Sequence, residues 1–247
     1  MSGVLYLVPN LLGAVAPSAV LPQRTIDIAR GLARWAVETP KAARAFLNSL
    51  EMPVPLARLD IAPLPGTPGA AEIAPIIAHL RSGKDVGLLS DAGCPGVADP
   101  GAALVASAHA AGVKVVPLVG PSAILLALMA SGLNGQRFRF HGYLPVKPGA
   151  RAEALRALEA QSRSGARAET EIFIETPYRN AAMLGALAGA LKPSTIVCIA
   201  ADLTLSTESI ERAGAREWGK RDATRFDRRP AIFLLQAADS SSGQLLM

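Results

Sequence analysis

The chain has 247 residues, enough for one large domain or two ordinary ones, and half of them are apolar, which excludes a disordered chain. The formal charge of +5 is modest, too small by itself to name a polyanionic partner. With Cys94 and Cys198 far apart and no histidine at ligand spacing, a zinc site and a disulfide framework are both excluded as expectations.

Apolar runs alternate with helical patterns along the first half. GVLYLVP (3–9) reads as a strand ended by proline, followed by a helical stretch near 25–33, a short run RWAVE (34–38) and a helix over 40–50. A Pro/Gly-rich loop (63–72) leads into a helix that stops near Ser82 and Gly83. DVGLLSD (85–91) has the continuous apolar character of a buried strand, residues 99–112 read as a helix with Asp99 at its cap and Pro100 in its first turn, and KVVPLVG (114–120) reads as another strand. That succession predicts a mostly parallel sheet covered by helices.

The second half opens with a helix, SAILLALMASG (122–132), then FRFHGYL (138–144) and a charged helix over 149–162. EIFIETP (171–177) and TIVCIAADL (195–203) read as strands flanking a helix over 179–191, and the chain closes with an extended stretch from Glu208 and the strand PAIFLLQA (230–237). A strand-rich ending predicts a mixed sheet. The expected organisation is therefore two α/β domains, 1–120 and 121–238, with a flexible polar tail at 239–247. No apolar run reaches the roughly 18 residues of a membrane span, and no basic-then-apolar leader opens the chain, so a cytoplasmic protein with no membrane partner is expected. Residues 1–120 carry nine Lys/Arg against eight Asp/Glu, and residues 121–247 sixteen against twelve. The stretch 212–229 concentrates Arg212, Arg216, Lys220, Arg221, Arg225, Arg228 and Arg229, which suits either phosphate neutralisation or a solvated surface.

The segment LLSDAGCPGVADPG (88–101) carries the most chemistry. A buried strand ends at Ser90, Asp91 stands at its carboxyl end, and Gly93 and Gly96 allow close backbone approach, in the place where open α/β sheets bind ligands. It is neither a phosphate-binding P-loop nor a GxGxxG fingerprint, and the chain has no GxSxG elbow. VGPSA (119–123) ends another strand, with Ser122 placed to cap the next helix or hold a polar ligand group. HGYLP (141–145), IETPYRN (174–180) and IAADLT (199–204) place small or polar residues at strand ends of the second domain.

Taken together, SDAGCPGVADPG, VGPSA, ASGLNGQRFRFHGYLP (130–145), IETPYR and AADLT, in this order and spacing, resemble the tetrapyrrole methylase family. The likeness is greatest to its branch of ribosomal RNA small-subunit 2′-O-cytidine methyltransferases, and it covers about residues 3–237. The resemblance implies a homodimer of two α/β domains with S-adenosylmethionine in the cleft between them, and ribosomal RNA as methyl acceptor. It implies that Ser90, Asp91, Gly93 and Val97 line the methionine and ribose of the cofactor, with Ser122 and Ala123 following at the junction. Thr176, Ala201 and Ala231 would contact the adenosine. VPNLLG (8–13) stands where the branch opens with TPIGN, Glu38 and Arg44 keep parts of an EDTR-x-x-R pattern, and His141 replaces a usual glutamate. Methyl transfer needs alignment and, for a hydroxyl acceptor, a base. Glu38 and Asp91 are the candidate bases, with Lys41 and Arg44 placed to position an anionic acceptor. A small-molecule acceptor such as a tetrapyrrole and a non-catalytic cofactor-binding role are the alternatives.

Overall fold

The computed structural model describes residues 2–163 and 168–238; the expected tail at 239–247 lies outside the described residues. The chain divides into two compact units, Met1–Ser122 and Ala123–Met247, each an α/β layer structure.

In the first unit the elements run β1 (Val4–Val8), α1 (Pro17–Val20), α2 (Gln23–Gly31), β2 (Arg34–Val37), α3 (Pro40–Ser49), β3 (Asp60–Pro63), α4 (Ala70–Arg81), β4 (Val86–Leu89), α5 (Ala102–Ala110) and β5 (Lys114–Pro117). The strands form one parallel sheet in the order β3-β2-β4-β1-β5. Every residue of β4 is buried, as expected of a central strand with helices on both faces. One face packs Trp35, Val37, Phe46 and Leu47 together; the other packs Leu5, Leu64, Leu80, Leu88 and Leu104. Helix α3 starts where Thr39 caps it, its hydroxyl accepting from Ala42 N–H, with Pro40 in the first turn. Its buried positions Ala43, Phe46 and Leu47 recur at helical spacing and face the first of those cores.

Two features differ from the sequence expectation. Strand β3 was not anticipated, because DIAP (60–63) is short and ends in proline. It sits at the sheet edge, pairing only with β2, where a missing N–H is tolerated, and Arg34 anchors it through a 3.3 Å ion pair to Asp60. Helix α5 begins at Ala102, not at Asp99; its cap is Gly101 at φ 138°, a conformation that favours glycine. Asp99 is therefore released from capping.

The second unit contains α6 (Ala123–Ser131), β6 (Phe138–Tyr143), α7 (Pro148–Ser162), β7 (Thr170–Ile174), α8 (Asn180–Ala190), β8 (Ile196–Ala201), β9 (Ser209–Gly214), α9 (Ala215–Trp218) and β10 (Ala231–Gln236). Its sheet, β6-β7-β10-β8-β9, is mixed: β6 and β7 run parallel, while β10 is antiparallel to β7 and β8, and β9 antiparallel to β8. Phe173 and Phe233 stack at 5.5 Å in its core. Trp218 is buried there too, its indole N–H donating to Val197 O at 3.1 Å. Among the described residues no helix is long and apolar enough to cross a membrane.

Close packing at Gly87 of β4 yields a direct test. A Cβ there would lie 2.6 Å from Cε3 of the fully buried Trp35 and 3.0 Å from Leu32 Cδ1. Gly87→Ala is expected to cost about 1–3 kcal/mol through overpacking. Trp35 and Trp218 lie one in each unit, so urea unfolding followed by fluorescence in a Trp218→Phe background reads the first unit alone. An unchanged midpoint would show that Trp35 moves aside without cost.

Candidate functional site

At the carboxyl edge of the parallel sheet, chain order and sheet order part. β1 continues to β2 on one side while its neighbour β4 continues to β5 on the other. Right-handed crossovers send the connections from these adjacent strands to opposite faces, leaving a gap beyond their carboxyl ends where ligands bind in such sheets.

Asn10, just past β1, holds this edge together. Its N–H donates to Gly93 O at 2.8 Å, and its side-chain amide donates to Ser90 O at 2.9 Å and Asp91 O at 3.0 Å. The same side chain accepts from Leu11 N–H at 2.8 Å. Gly93 stands at φ 66°, with Leu12 Cδ2 3.4 Å from where a Cβ would be. A Cβ on Gly120, in the loop after β5, would lie 2.4 Å from Pro9. Gly93, which the sequence singles out, and Gly120 are thus places where strand-end loops meet. The loop's second turn carries Gly96 at φ 80° and Ala98 at φ 65°, the latter costly for a residue with a Cβ.

Three carboxylates gather here. Glu38 follows β2, and its Oε2 accepts the Asp91 N–H at 2.9 Å. Asp91 places Oδ1 at 3.0 Å from Thr39 N–H, and both its oxygens accept from the Thr39 hydroxyl, at 2.9 and 3.0 Å. Asp99, uncapped by the late start of α5, has its carboxyl pushed up to about 6, by burial first and then by the charges of Glu38 and Asp91. Cys94 also has its thiol pushed up by burial and by Asp99, the opposite of the shift that activates a cysteine. Among the described residues no group of His, Cys, Asp and Glu is arranged to hold a metal ion.

The structure brings Glu38, Ser90, Asp91 and Gly93 into one hydrogen-bonded assembly, with Val97 half exposed on the loop. Ser122 and Ala123 follow Pro121, whose carbonyl accepts from the Cys94 thiol at 3.5 Å. Lys41 and Arg44 are exposed on α3, three residues apart and so on neighbouring positions of one face. Sequence reasoning missed Asn10 and Thr39 as organising residues and gave Asp99 a cap it does not make.

In the second unit Thr176, Ala201 and Ala231 come to one end of the mixed sheet: Ala231 pairs with Ala201, Ile232 with Ile174, and Thr176 lies just past β7. The buried Glu175 carboxylate accepts from Thr176 N–H at 2.7 Å and from Arg179 at 2.6 and 2.8 Å, so Arg179 is a structural partner of Glu175 and not a loose surface residue. Backbone strain gathers at the same end, with Asp202, Thr204 and Arg228 at φ 53°, 73° and 59°. Arg229 clamps this turn, donating to Asp202 Oδ2 at 2.8 Å, Ser209 Oγ at 3.0 Å and Thr207 O at 2.5 Å. The arginine-rich stretch divides accordingly. Arg221 and Arg225 pair with Glu211, and Arg229 with Asp202, whereas Arg212, Arg216, Lys220 and Arg228 are exposed.

Residues 38–218 match the family described as Tetrapyrrole (Corrin/Porphyrin) Methylases. A ribosomal RNA small subunit methyltransferase I from Escherichia coli O157:H7 is 34% identical over 226 residues, covering 90% of this chain and 74% of that protein. The protein of the same name from Mesorhizobium japonicum is 45% identical over 148 residues, which span 60% of this chain and 48% of that relative. Two solved structures share the fold across nearly the whole length at 18% identity: the methyltransferase CobJ, with TM-score 0.60 over 96% of this chain and 95% of that one, and a uroporphyrin-III-C-methyltransferase from Thermus thermophilus, with TM-score 0.57 over 95% and 94%.

Two outcomes test this geometry. Asn10→Ala leaves the Ser90 and Asp91 carbonyls without their donor and is expected to cost about 1–3 kcal/mol, measured by the Trp35 unfolding signal. Because Asp99 holds its proton more firmly when folded than when unfolded, stability contributed at this site falls as pH rises from about 4 to about 6. Asp99→Asn removes that slope. The variant is expected to exceed wild type by on the order of 1 kcal/mol at pH 7, allowing for solvent screening, and to converge on it near pH 4. A constant offset across that range would contradict the assignment.

Proposed function

The chain belongs to the tetrapyrrole methylase family, and on that premise we propose that this methyltransferase uses S-adenosylmethionine to methylate a ribose 2′-hydroxyl of small-subunit ribosomal RNA. The observation that carries the reading is the likeness to a relative named for small-subunit ribosomal RNA methylation over 90% of this chain. The small-molecule alternative rests on fold likeness at 18% identity, which speaks to fold alone.

S-adenosylmethionine, when bound, supplies an electrophilic methyl on a positively charged sulfonium. The first unit fits such a ligand. Ser90, Asp91, Gly93 and Val97 lie on a loop that turns through left-handed glycines, and Glu38, Asp91 and Asp99 put negative charge beside it. Ser122 and Ala123, and in the second unit Thr176, Ala201 and Ala231, complete the assignment. Asp91 is the less suited base, since both its oxygens accept from Thr39; it orients the loop. Glu38 keeps its second oxygen beyond the contact with Asp91 N–H. Asp99 has the carboxyl displaced toward neutrality that a proton acceptor needs. Lys41 and Arg44 supply cations for an anionic acceptor. Helix α6 has no charged residue and leaves Met129 exposed, which supports the homodimer reading, and a cytoplasmic location follows from a ribosomal substrate.

The test is calorimetric titration of purified wild type and Asp91→Ala with S-adenosylmethionine, then tritiated methyl transfer to small ribosomal subunits from a strain lacking the gene. Binding weakened about tenfold or more in the variant, with label in an alkali-resistant dinucleotide of the RNA, is the expected result. No binding, or label entering a tetrapyrrole and not RNA, would overturn it.

A further inference from the structure

The strand β6 carries the sequence Phe138-Arg139-Phe140-His141-Gly142-Tyr143, preceded by Arg137. In a regular strand Phe138 and Phe140 would share one face and Tyr143 would point to the other. The pairing shows otherwise. Phe138 lies opposite Thr170, Phe140 opposite Ile172 and, after a shift of register, Tyr143 opposite Ile174. Positions 170, 172 and 174 of β7 are on one face, so all three rings are on one face. The bulge responsible contains Gly142 at φ 66°, and re-aiming a side chain is what such an extra residue does.

The row is open. Among the described residues β6 is an edge strand, paired only with β7; Phe138 is 41% exposed and Tyr143 61%, with Phe140 partly buried between them. Two residues along a strand span about 7 Å, so each ring presents its own surface instead of stacking on its neighbour. The opposite face has a different character. Arg139 lies opposite Glu171, which is buried and hydrogen-bonded to His141 at 2.5 Å. Arg137 and Arg139 share a single carboxylate, Glu169, at 3.9 and 3.6 Å, with their side chains 47% and 55% exposed. With the exposed Lys147 just beyond the strand, three cations stand near the two acids Glu169 and Glu171.

Exposed aromatic rings beside accessible cations are the combination that binds single-stranded nucleic acid: bases stack on the rings while phosphates follow the charge. Duplex RNA keeps its bases stacked and would present only its backbone. We propose that the β6 edge, through Phe138, Phe140 and Tyr143 with Arg137 and Arg139, is a binding surface for unpaired nucleotides of the RNA substrate. This rests on the RNA methyltransferase reading and gives that reading a surface in the second unit. It also gives a role to Arg137 and Arg139, whose side chains stay accessible although both pair with Glu169.

The experiment is fluorescence anisotropy with a labelled 12-nucleotide single-stranded RNA of mixed sequence and a duplex of the same sequence. It compares full-length wild type, Phe138→Ala/Tyr143→Ala, Tyr143→Phe and Arg137→Gln/Arg139→Gln, with S-adenosylmethionine binding by each measured calorimetrically. The rings are exposed, so the aromatic double variant is expected to fold and bind donor as wild type does. Its affinity for the single strand should fall about tenfold or more, while Tyr143→Phe retains it. The arginine pair should lower the slope of log affinity against log salt by about one to two. Single-strand affinity unchanged in the aromatic variant overturns the proposal, as does wild type that binds duplex and single strand alike. If sedimentation shows that the aromatic variant converts a dimer to monomers with RNA affinity intact, the face is a subunit interface and the proposal fails. Wild type that binds donor but no RNA removes the RNA reading itself, and the proposal with it.

Discussion

A parallel sheet ends abruptly: the last peptide groups of each strand have lost their neighbour, and something must take up their hydrogen bonds where the chain turns away. At the centre of the first unit that task falls on the carboxamide of Asn10, which donates to two consecutive carbonyls of the neighbouring strand end. Everything else at this edge depends on where those carbonyls are held. Because Ser90 and Asp91 are fixed from behind, the Asp91 N–H is directed at Glu38 and its carboxylate at Thr39. The loop can then turn through left-handed glycines without drifting. Threonine 39 serves twice, capping α3 and clamping Asp91, so the start of that helix and the acid at the end of β4 are one mechanical unit.

The electrostatics follow from the same placement. Glu38 and Asp91 hold their hydrogen-bond donors from backbone and hydroxyl groups, which add no compensating charge. Their negative potential falls on Asp99, already half withdrawn from water, and raises its proton affinity. Positive charge placed beside the cluster would offset that effect on Asp99.

Much of the fold was legible because its signals are local. The unbroken apolar run at 86–89 and the glycines after it identify a central strand and a turning loop from composition alone, and the βαβ rhythm identifies a parallel sheet. What was illegible depends on distant partners. Asn10 looks like any loop asparagine until β1 and β4 become neighbours, 80 residues apart in the chain. The sequence of 60–63 lacks strand character because an edge strand needs little of it. Asp99-Pro100 is a proper cap sequence, yet a glycine two residues on at φ 138° delays the helix. The cluster in 212–229 could not be divided by inspection, since the acids that hold three of its arginines come from β9 and from the turn after β8.

The two units also differ in how they depart from regularity, and the difference bears on what each can recognise. The first unit places four left-handed residues between Gly93 and Gly101, in the loop beyond β4, beside the acids Glu38, Asp91 and Asp99. The second unit places a register shift inside an edge strand and clamps a strained turn with Arg229. A bulge there changes no loop. It turns one ring over, so that a strand with an alternating pattern of aromatic and basic residues acquires a wholly aromatic face and a largely basic one. Single nucleotide chains have the same two-sidedness, apolar bases on one flank and phosphates on the other, and a twisted edge strand can meet both at once. The excess of positive charge in residues 121–247 is small, sixteen bases against twelve acids, so what this unit offers a polyanion depends on where its cations stand and not on net charge.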